Sequence, residues 1–163
     1  MSEKARLLDP DHSVYDKVLR VDPASLGEEA FLRADLVIHD VDHSAASFET
    51  RVFFNNPEAA GNPAADPERG YAGSFAVFGH AGCGGDPGHC DFVDRPADDP
   101  RGSHHMRPHD FTVIVTKALR RLFERGQVLE HVTLVPVRPK GPEMLRCGAG
   151  ELRFSDLELR LYR

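Results

Sequence analysis

Short segments in which apolar and polar residues alternate constrain the fold of this chain more than any other feature. The clearest are residues 48–55, where Phe48, Val52 and Phe54 are in phase, and the run YAGSFAVFGH at residues 71–80. Alternation with a period of two is typical of β-strands that bury one face. Turn-forming residues separate these runs, and no repeated strand–helix–strand rhythm is present.

Similar alternation predicts further strands in four segments and near Val18–Val21. These segments are 31–42, 111–116, 131–137 and 151–163. Only the run KALRRLFER at 117–125 has helical spacing, and we expect Thr116 to cap this helix and Gly126 to end it. The pattern predicts an all-β fold, an antiparallel, jelly-roll-like β-sandwich of about six to eight strands with one short helix near 117–125. Within the 163 residues, we expect an extended N-terminal arm at 1–29 and one sandwich domain at 30–163.

Charge and hydropathy exclude two classes of function. The net charge of −6 gives no preference for phosphate backbones, so no nucleic-acid partner is expected. The arginines Arg120, Arg121 and Arg125 are interpreted as a solvated helix face. No run of about 18 apolar residues and no secretory signal is visible, so we expect no membrane association and a cytoplasmic location.

The long connection 79–110 carries the residues with the most distinctive chemistry. Within eleven residues rich in glycine it places four soft or borderline metal ligands: His80, Cys83, His89 and Cys90. Thiolate and imidazole suit Cu(I) or Zn(II). The alternative is a disulfide between Cys83 and Cys90, or two free thiols. Secondary candidate ligands follow in the same connection: His104, His105 and His109.

Three short motifs in a fixed order resemble a known family. They are RVFFN at 51–55, AGSF at 72–75 and VTLVP at 132–136. Together with the long connection, they resemble the C-terminal β-sandwich domain of tyrosinases, catechol oxidases and molluscan haemocyanins, from near Phe31 to the end of the chain. The dicopper domain that precedes this sandwich in those proteins has no counterpart among the motifs.

The resemblance implies a domain that covers a type 3 copper site and inserts one bulky side chain into its entrance. The position that matches this plug is Phe78; the alternative is that Phe78 belongs to the core. We expect no catalytic residue in this chain, because a type 3 centre needs six imidazoles delivered largely from helices. The pair His105 and His109 is interrupted by Pro108, and His39 and His43 lie where a strand turns.

The expected function is therefore that of an accessory or capping subunit, not an enzyme by itself. Its expected partner is a separately encoded, tyrosinase-like dicopper oxidase subunit in a hetero-oligomer, with a further role in copper loading. The alternative is a stand-alone copper- or zinc-binding protein that uses the loop 80–90. Copper, held by this loop or by the partner's dicopper site, is the cofactor that these hypotheses involve.

Overall fold

The structure is a computed structural model that describes residues 5–9, 11, 14–26, 31–79, 98, 108–140, 143–146 and 151–163. These residues form nine strands and one α-helix: β1 (Arg6–Asp9), β2 (Val14–Val21), β3 (Arg33–Val41), β4 (Phe48–Phe54), β5 (Tyr71–Val77), β6 (His109–Ile114), α1 (Thr116–Glu124), β7 (Leu129–Lys140), β8 (Glu143–Arg146) and β9 (Asp156–Tyr162). Short 3₁₀ turns lie at Pro23–Leu26, Ala59–Gly61 and Pro67–Arg69.

The strands form two antiparallel sheets that pack face to face. The larger sheet has the order β1-β2-β7-β4-β5, with β8 also paired to β7, and the smaller sheet has the order β6-β3-β9. Apolar side chains from the facing sides of both sheets form one core, with Val52 and Phe54 from the larger sheet and Leu36 and Ile38 from the smaller. The predicted all-β sandwich with one short helix is confirmed.

The predicted alternation matches the burial of β4 and β5. Phe75 and Val77 of β5 are buried, whereas Ala76 between them is exposed. Removing each large apolar side chain from water contributes about 1.5–3 kcal/mol. This alternation therefore sets which face of the larger sheet meets the smaller one.

Gly73, in the AGSF motif, lies where β5 approaches the smaller sheet most closely. Its φ is 153°, and a Cβ at this position would lie 2.7 Å from Cγ1 of Val113 in β6. The pairing of β4 with β5 also shifts register between Val52 and Phe53. Glycine at this position lets two strands of different sheets touch at an irregular point in the ladder.

The outer face of the larger sheet has a small core of its own. Phe53, Val135 and Val137 are fully buried there, and Ala59 from the loop after β4 covers them. The loop between β4 and β5, which is rich in asparagine, proline and glycine, thus covers part of this outer face and leaves the inner face to the main core.

Strand β2 lies inside the larger sheet, within the segment expected to form an arm. It pairs with β1 on one side and with β7 on the other. Lys17 of this strand is 2% exposed, and its Nζ donates to Asp156 Oδ1 at 2.6 Å and to the carbonyl of Leu157 at 2.7 Å. A buried ammonium needs such partners, so this contact joins the first part of the chain to β9. The predicted division near residue 30 stays a prediction.

Helix α1 closes the end of the sandwich at which β4 ends and β5 begins. Leu119 is fully buried, and Ala118 and Leu122 lie beside it in the core. The expected stop at Gly126 is confirmed: its φ is 68°, and the N–H groups of Gly126 and Gln127 donate to the carbonyls of Phe123 and Leu122.

One expectation near α1 was wrong. Thr116 does not cap the helix, because Val115 occupies the N-cap position and Thr116 Oγ1 accepts the N–H of Ala34 at 2.9 Å. The arginines Arg120 and Arg125 are exposed, as a solvated helix face requires, and Arg120 also donates to the carbonyl of Phe31 at 3.2 Å. Leu32, just before β3, is 73% exposed.

Strand β7 is central although it contains Pro136, and proline within sheets is usually confined to edge strands. Pro136 is in register with Thr50 of β4. On the opposite flank, the pairing with β2 ends at Leu134 and the pairing with β8 begins at Val137. The missing N–H of proline therefore falls between two ladders.

Among the described residues, no helix is both long and apolar enough to cross a lipid bilayer.

Candidate functional site: the histidine end

The strand registers bring the ends of both sheets together opposite α1. Val41, at the end of β3, pairs with His109 at the start of β6, and Val77, at the end of β5, pairs with Phe48 at the start of β4. We call residues 39–47, 78–79 and 108–110 the histidine end. The connection predicted to carry metal ligands leaves the sandwich and returns to it at this end.

Phe78 extends from the end of β5 into solvent. It is 80% exposed, the largest exposed fraction of the large apolar side chains in the described residues. It therefore lies outside the core, so the alternative that it is a core residue does not hold. Its predicted role as a plug stays a prediction.

The backbone that carries Phe78 is held at the next residue. The N–H of Gly79 donates to Ser47 Oγ at 3.0 Å. A Cβ on Gly79 would overlap the carbonyl oxygen of Ala45 and would lie 2.5 Å from the carbonyl carbon of Ala46. Only glycine allows this close approach of two backbone segments. An exposed aromatic side chain is thus carried by a fixed main chain.

Two histidines from different strands stack at this end. The rings of His43 and His109 have centroids 4.8 Å apart and an interplanar angle of 18°. His43 is 5% exposed, whereas His109 is exposed. His109, predicted as a secondary metal ligand, thus contacts a histidine that the sequence interpretation had set aside.

His39 links the three strands of the smaller sheet on its outer face. Its Nδ1 lies 2.9 Å from Asp110 of β6, and its Nε2 lies 3.4 Å from Glu158 of β9. The hydrogen bond with Asp110 raises the pKa of His39, burial opposes this, and Glu158 adds to it. The pKa of Glu158 is lowered, first by its hydrogen bond with Arg160 and, against burial, also by His39.

A bulge in β3 sets up this network. The pairing of β3 with β6 shifts between Ile38 and Val41, and Asp40 has a φ of 53°. In that conformation the N–H of Asp40 donates to Asp110 Oδ1 at 3.0 Å. This backbone bond is the first cause, before His39, of the lowered pKa of Asp110. A left-handed residue thus places one carboxylate between a backbone N–H and an imidazole.

The remaining predicted site residues lie outside the described residues. They are His80, Cys83, His89, Cys90, His104 and His105. Their metal-binding role, and the alternative disulfide between Cys83 and Cys90, stay predictions. Within the described part of the chain, no group of three or more His, Cys, Asp or Glu side chains is arranged to hold a metal ion.

Sequence reasoning missed the contacts of His39 and His43, because their partners are distant in the chain. His39 and Asp110 are separated by 71 positions. The available signal was weak: His39 follows the apolar run of β3 at a position out of phase with Leu36 and Ile38. That phase predicts an outward-facing histidine but does not identify the strand beside it.

Comparison with known proteins gives likeness of structure only. No protein-family profile matches the chain, and no curated protein matches its sequence. Solved structures are similar to it, among them two of latent aurone synthase. A latent aurone synthase (polyphenol oxidase) from natural source has a TM-score of 0.55 and 17% identity over 99% of this chain and 26% of that chain. The recombinantly expressed latent aurone synthase (polyphenol oxidase) has a TM-score of 0.53 and 17% identity over 99% and 25%.

This likeness shows the fold. The chain spans about a quarter of the length of these polyphenol oxidases, which is consistent with the resemblance to a C-terminal domain. At 17% identity, the activity of the whole enzymes is not carried to this chain by the match.

Proposed function

We propose that this chain caps the active site of a tyrosinase-like dicopper oxidase carried on another subunit, with Phe78 entering the mouth of the copper site. The observation that carries this proposal is the exposure of Phe78 on a backbone fixed by Gly79. The shared fold with a quarter of a polyphenol oxidase supports it.

The physical properties of Phe78 suit a plug. Phenylalanine fills a large volume, loses little rotamer freedom when it is buried, and does not ligate metal. Its exposure in this chain leaves about 2–3 kcal/mol of burial free energy for a partner's pocket. Its fixed main chain lowers the entropic cost of docking.

The smaller sheet carries polar groups that suit the rim of an interface. His39, Asp110 and Glu158 place one imidazole and two carboxylates on its outer face, with side chains 24%, 55% and 51% exposed. Interfaces commonly surround an apolar anchor with polar groups that remain accessible to water. In this proposal the copper chemistry belongs to the partner, and the chain described here excludes substrate from it.

The proposal is tested with a tyrosinase catalytic domain from which its own C-terminal domain has been removed. Adding the present chain is expected to lower the rate of catechol oxidation in proportion to binding. Phe78→Ala is expected to weaken both effects about 30-fold, since a buried aromatic contributes about 2 kcal/mol. Leu32→Ala is the matched control, because Leu32 is similarly exposed but lies at the start of β3.

Two results would contradict the capping role. One is the absence of binding at concentrations up to about 100 µM, which corresponds to a negligible affinity for a stable subunit contact. The other is equal inhibition by the wild-type chain and by Phe78→Ala. A role in copper loading is tested in the same assay, starting from the copper-free catalytic domain and measuring copper uptake with and without the chain.

A second proposal is copper or zinc binding by His80, Cys83, His89 and Cys90. The observation that favours it is that the segment with these four residues follows Gly79 at the histidine end, the end at which His43 and His109 stack. Metal content of the reduced protein, measured after incubation with Cu(I) or Zn(II) and gel filtration, is expected to be stoichiometric and to fall in Cys83→Ser and His80→Ala. Metal-free protein would contradict it, and a mass two hydrogens lower without reductant would support the disulfide.

A further inference from the structure

Strand β9 forms an edge of the smaller sheet. In the described residues it pairs only with β3, with Arg33 opposite Tyr162 and Asp35 opposite Arg160. An open edge presents backbone N–H and C=O groups that another strand can use.

The hydrogen bonds of β3 show which groups of β9 face the open edge. Ala34 accepts the N–H of Val115 at 2.9 Å and donates its own N–H to Thr116 Oγ1, so its backbone faces β6. Backbone direction alternates along an antiparallel strand. The backbone N–H and C=O groups of Arg33 and Asp35 therefore point towards β9.

It follows that the backbone N–H and C=O groups of the even-numbered residues of β9 point towards β3, and that those of its three leucines point towards the open edge. The three outward backbones are those of Leu157, Leu159 and Leu161. The carbonyl of Leu157 agrees with this assignment, because it accepts from Lys17 of β2 at 2.7 Å. The open edge thus has three donors and three acceptors. The carbonyl of Leu157 already accepts from Lys17 and its N–H donates to Asp156 Oδ1 at 2.8 Å, so the backbones of Leu159 and Leu161 offer the groups for a new strand.

The sequence of β9 is complementary to itself when it is read antiparallel. In a pair centred on Leu159, Leu157 of one copy lies opposite Leu161 of the other, and Glu158 lies opposite Arg160. Both charged residues are on the outer face of the sheet, with side chains 51% and 45% exposed. Within one chain Glu158 pairs with Arg160 at 2.8 Å and also lies 3.4 Å from Nε2 of His39. Opposite charges directly across two strands stabilise a pairing, and like charges oppose it.

The larger sheet extends past this edge. Leu19 and Val21 of β2 are half-buried and line a cleft of about 370 Å³ together with Leu157 and Leu159. A strand added to β9 would lie over these side chains. The added strand would therefore gain apolar contacts as well as ladder hydrogen bonds.

We infer that β9 pairs with β9 of a second copy of this chain, about a two-fold axis at Leu159, to form a continuous six-stranded sheet. This inference does not depend on the capping proposal. The pairing is isologous: one contact is made twice, with Glu158 of each copy against Arg160 of the other.

The test uses charge reversal at the two positions and sedimentation velocity of the full chain. The wild-type chain is expected to sediment as a dimer at micromolar to tens of micromolar concentrations. In a dimer of the Glu158→Arg variant, the arginine at 158 of each copy lies opposite Arg160 of the other. In a dimer of the Arg160→Glu variant, the glutamate at 160 of each copy lies opposite Glu158 of the other. Each variant alone is expected to raise the dissociation constant by roughly tenfold or more, because two attractive pairs become repulsive.

Mixing the two variants distinguishes this register from other contacts. In a heterodimer of Glu158→Arg with Arg160→Glu, both cross-strand pairs are again of opposite charge, so the mixture is expected to recover the wild-type dissociation constant. The double variant, which exchanges the charges within one strand, is expected to dimerise on its own.

Arg125→Glu is the matched control. Arg125 pairs with Glu68 at 2.8 Å and is 47% exposed, so it resembles Arg160 in both respects, but it lies near the C-terminal end of α1. It is expected to leave the dimer unchanged. A monomeric wild-type chain, single variants that dimerise like the wild type, or a mixture that stays monomeric would each overturn the inference. Thermal unfolding of every variant shows whether its fold is intact.

Discussion

The two ends of the sandwich use their residues differently. At the helix end, α1 places Ala118, Leu119 and Leu122 in the core, and Asn55 closes β4 onto β7 by accepting the N–H groups of Glu130 and His131. At the histidine end, the largest apolar side chain, Phe78, is 80% exposed.

The two ends do not differ in how closely the main chain is packed. Gly79 is held against Ala45 and Ala46 as tightly as any turn at the helix end. What differs is the element that closes each end. At the helix end α1 buries Leu119 and Leu122, although Leu32 and Ile114 are exposed there, whereas the histidine end holds Phe78 in solvent at a fixed position. Under the capping proposal, this exposed side chain serves the contact with the partner rather than the stability of the chain.

The helix end should be the costlier of the two to disturb. Leu119→Ala is expected to lower the free energy of unfolding by about 3 kcal/mol, because Leu119 is fully buried and its truncation leaves a cavity. Urea unfolding followed by circular dichroism measures this loss. A loss below about 1 kcal/mol would mean that α1 contributes little to the core.

Gly79→Ala tests whether the main chain of the histidine end is as tightly packed as described. The added Cβ overlaps the backbone of Ala45, so a loss of about 2 kcal/mol is expected from the forced displacement. Gly61→Ala is the control, because a Cβ there meets no atom within 4 Å. Equal stability of the two variants in urea unfolding would contradict the close approach.

The His39 network predicts a smaller effect that depends on pH. The pKa of His39 is raised in the folded chain, so its contribution is present below the ordinary value of 6.5 and is lost as the pH rises through the raised value. The pKa values of Asp110 and Glu158 are lowered. Their contribution is therefore present above their ordinary values and is lost as the pH falls through the lowered values.

The measurement is the free energy of unfolding of the wild-type chain and His39→Gln between pH 5 and pH 9. We expect the wild type to lose no more than about 1 kcal/mol relative to the variant on going from the acidic to the alkaline side of this range, since the groups are solvent-screened. Parallel pH profiles of the two proteins would show that His39 does not couple the strands.

Phe78→Ala should have the smallest effect on stability. The side chain is 80% exposed, so the free energy of unfolding is expected to change by less than about 0.5 kcal/mol. A loss near that of Leu119→Ala would place Phe78 in the core and remove the contrast between the two ends.

The strands were predictable because their burial follows a local rule. Phe48, Val52 and Phe54 of β4, and Phe75 and Val77 of β5, have the predicted inward phase. The helix stop at Gly126 was predictable for the same reason, since a left-handed residue after a helix depends on the residues around it.

The contacts that organise the candidate site were not predictable from one sequence. His43 meets His109, and His39 meets Asp110, only because β6 pairs with β3. Thr116 stands at a sequence position typical of a helix cap, but its hydroxyl accepts the N–H of Ala34, which lies 82 positions away. The role of Phe78 as a plug comes from a family resemblance and stays a prediction, and no local pattern separates an exposed phenylalanine at a strand end from a buried one.

The ion pair between Lys17 and Asp156 also bears on the order in which the chain can fold during synthesis. The two residues are separated by 139 positions, so β2 leaves the ribosome long before its counter-ion does. Until β9 follows, Lys17 has neither the carboxylate nor the carbonyl that makes its burial tolerable. The larger sheet can be completed once β8 has emerged, but the sandwich can close over Lys17 only after nearly all of these residues have emerged. We expect ribosome-bound chains that end before residue 156 to be cut readily by protease within β2, and chains whose β9 has cleared the exit tunnel to resist cleavage there.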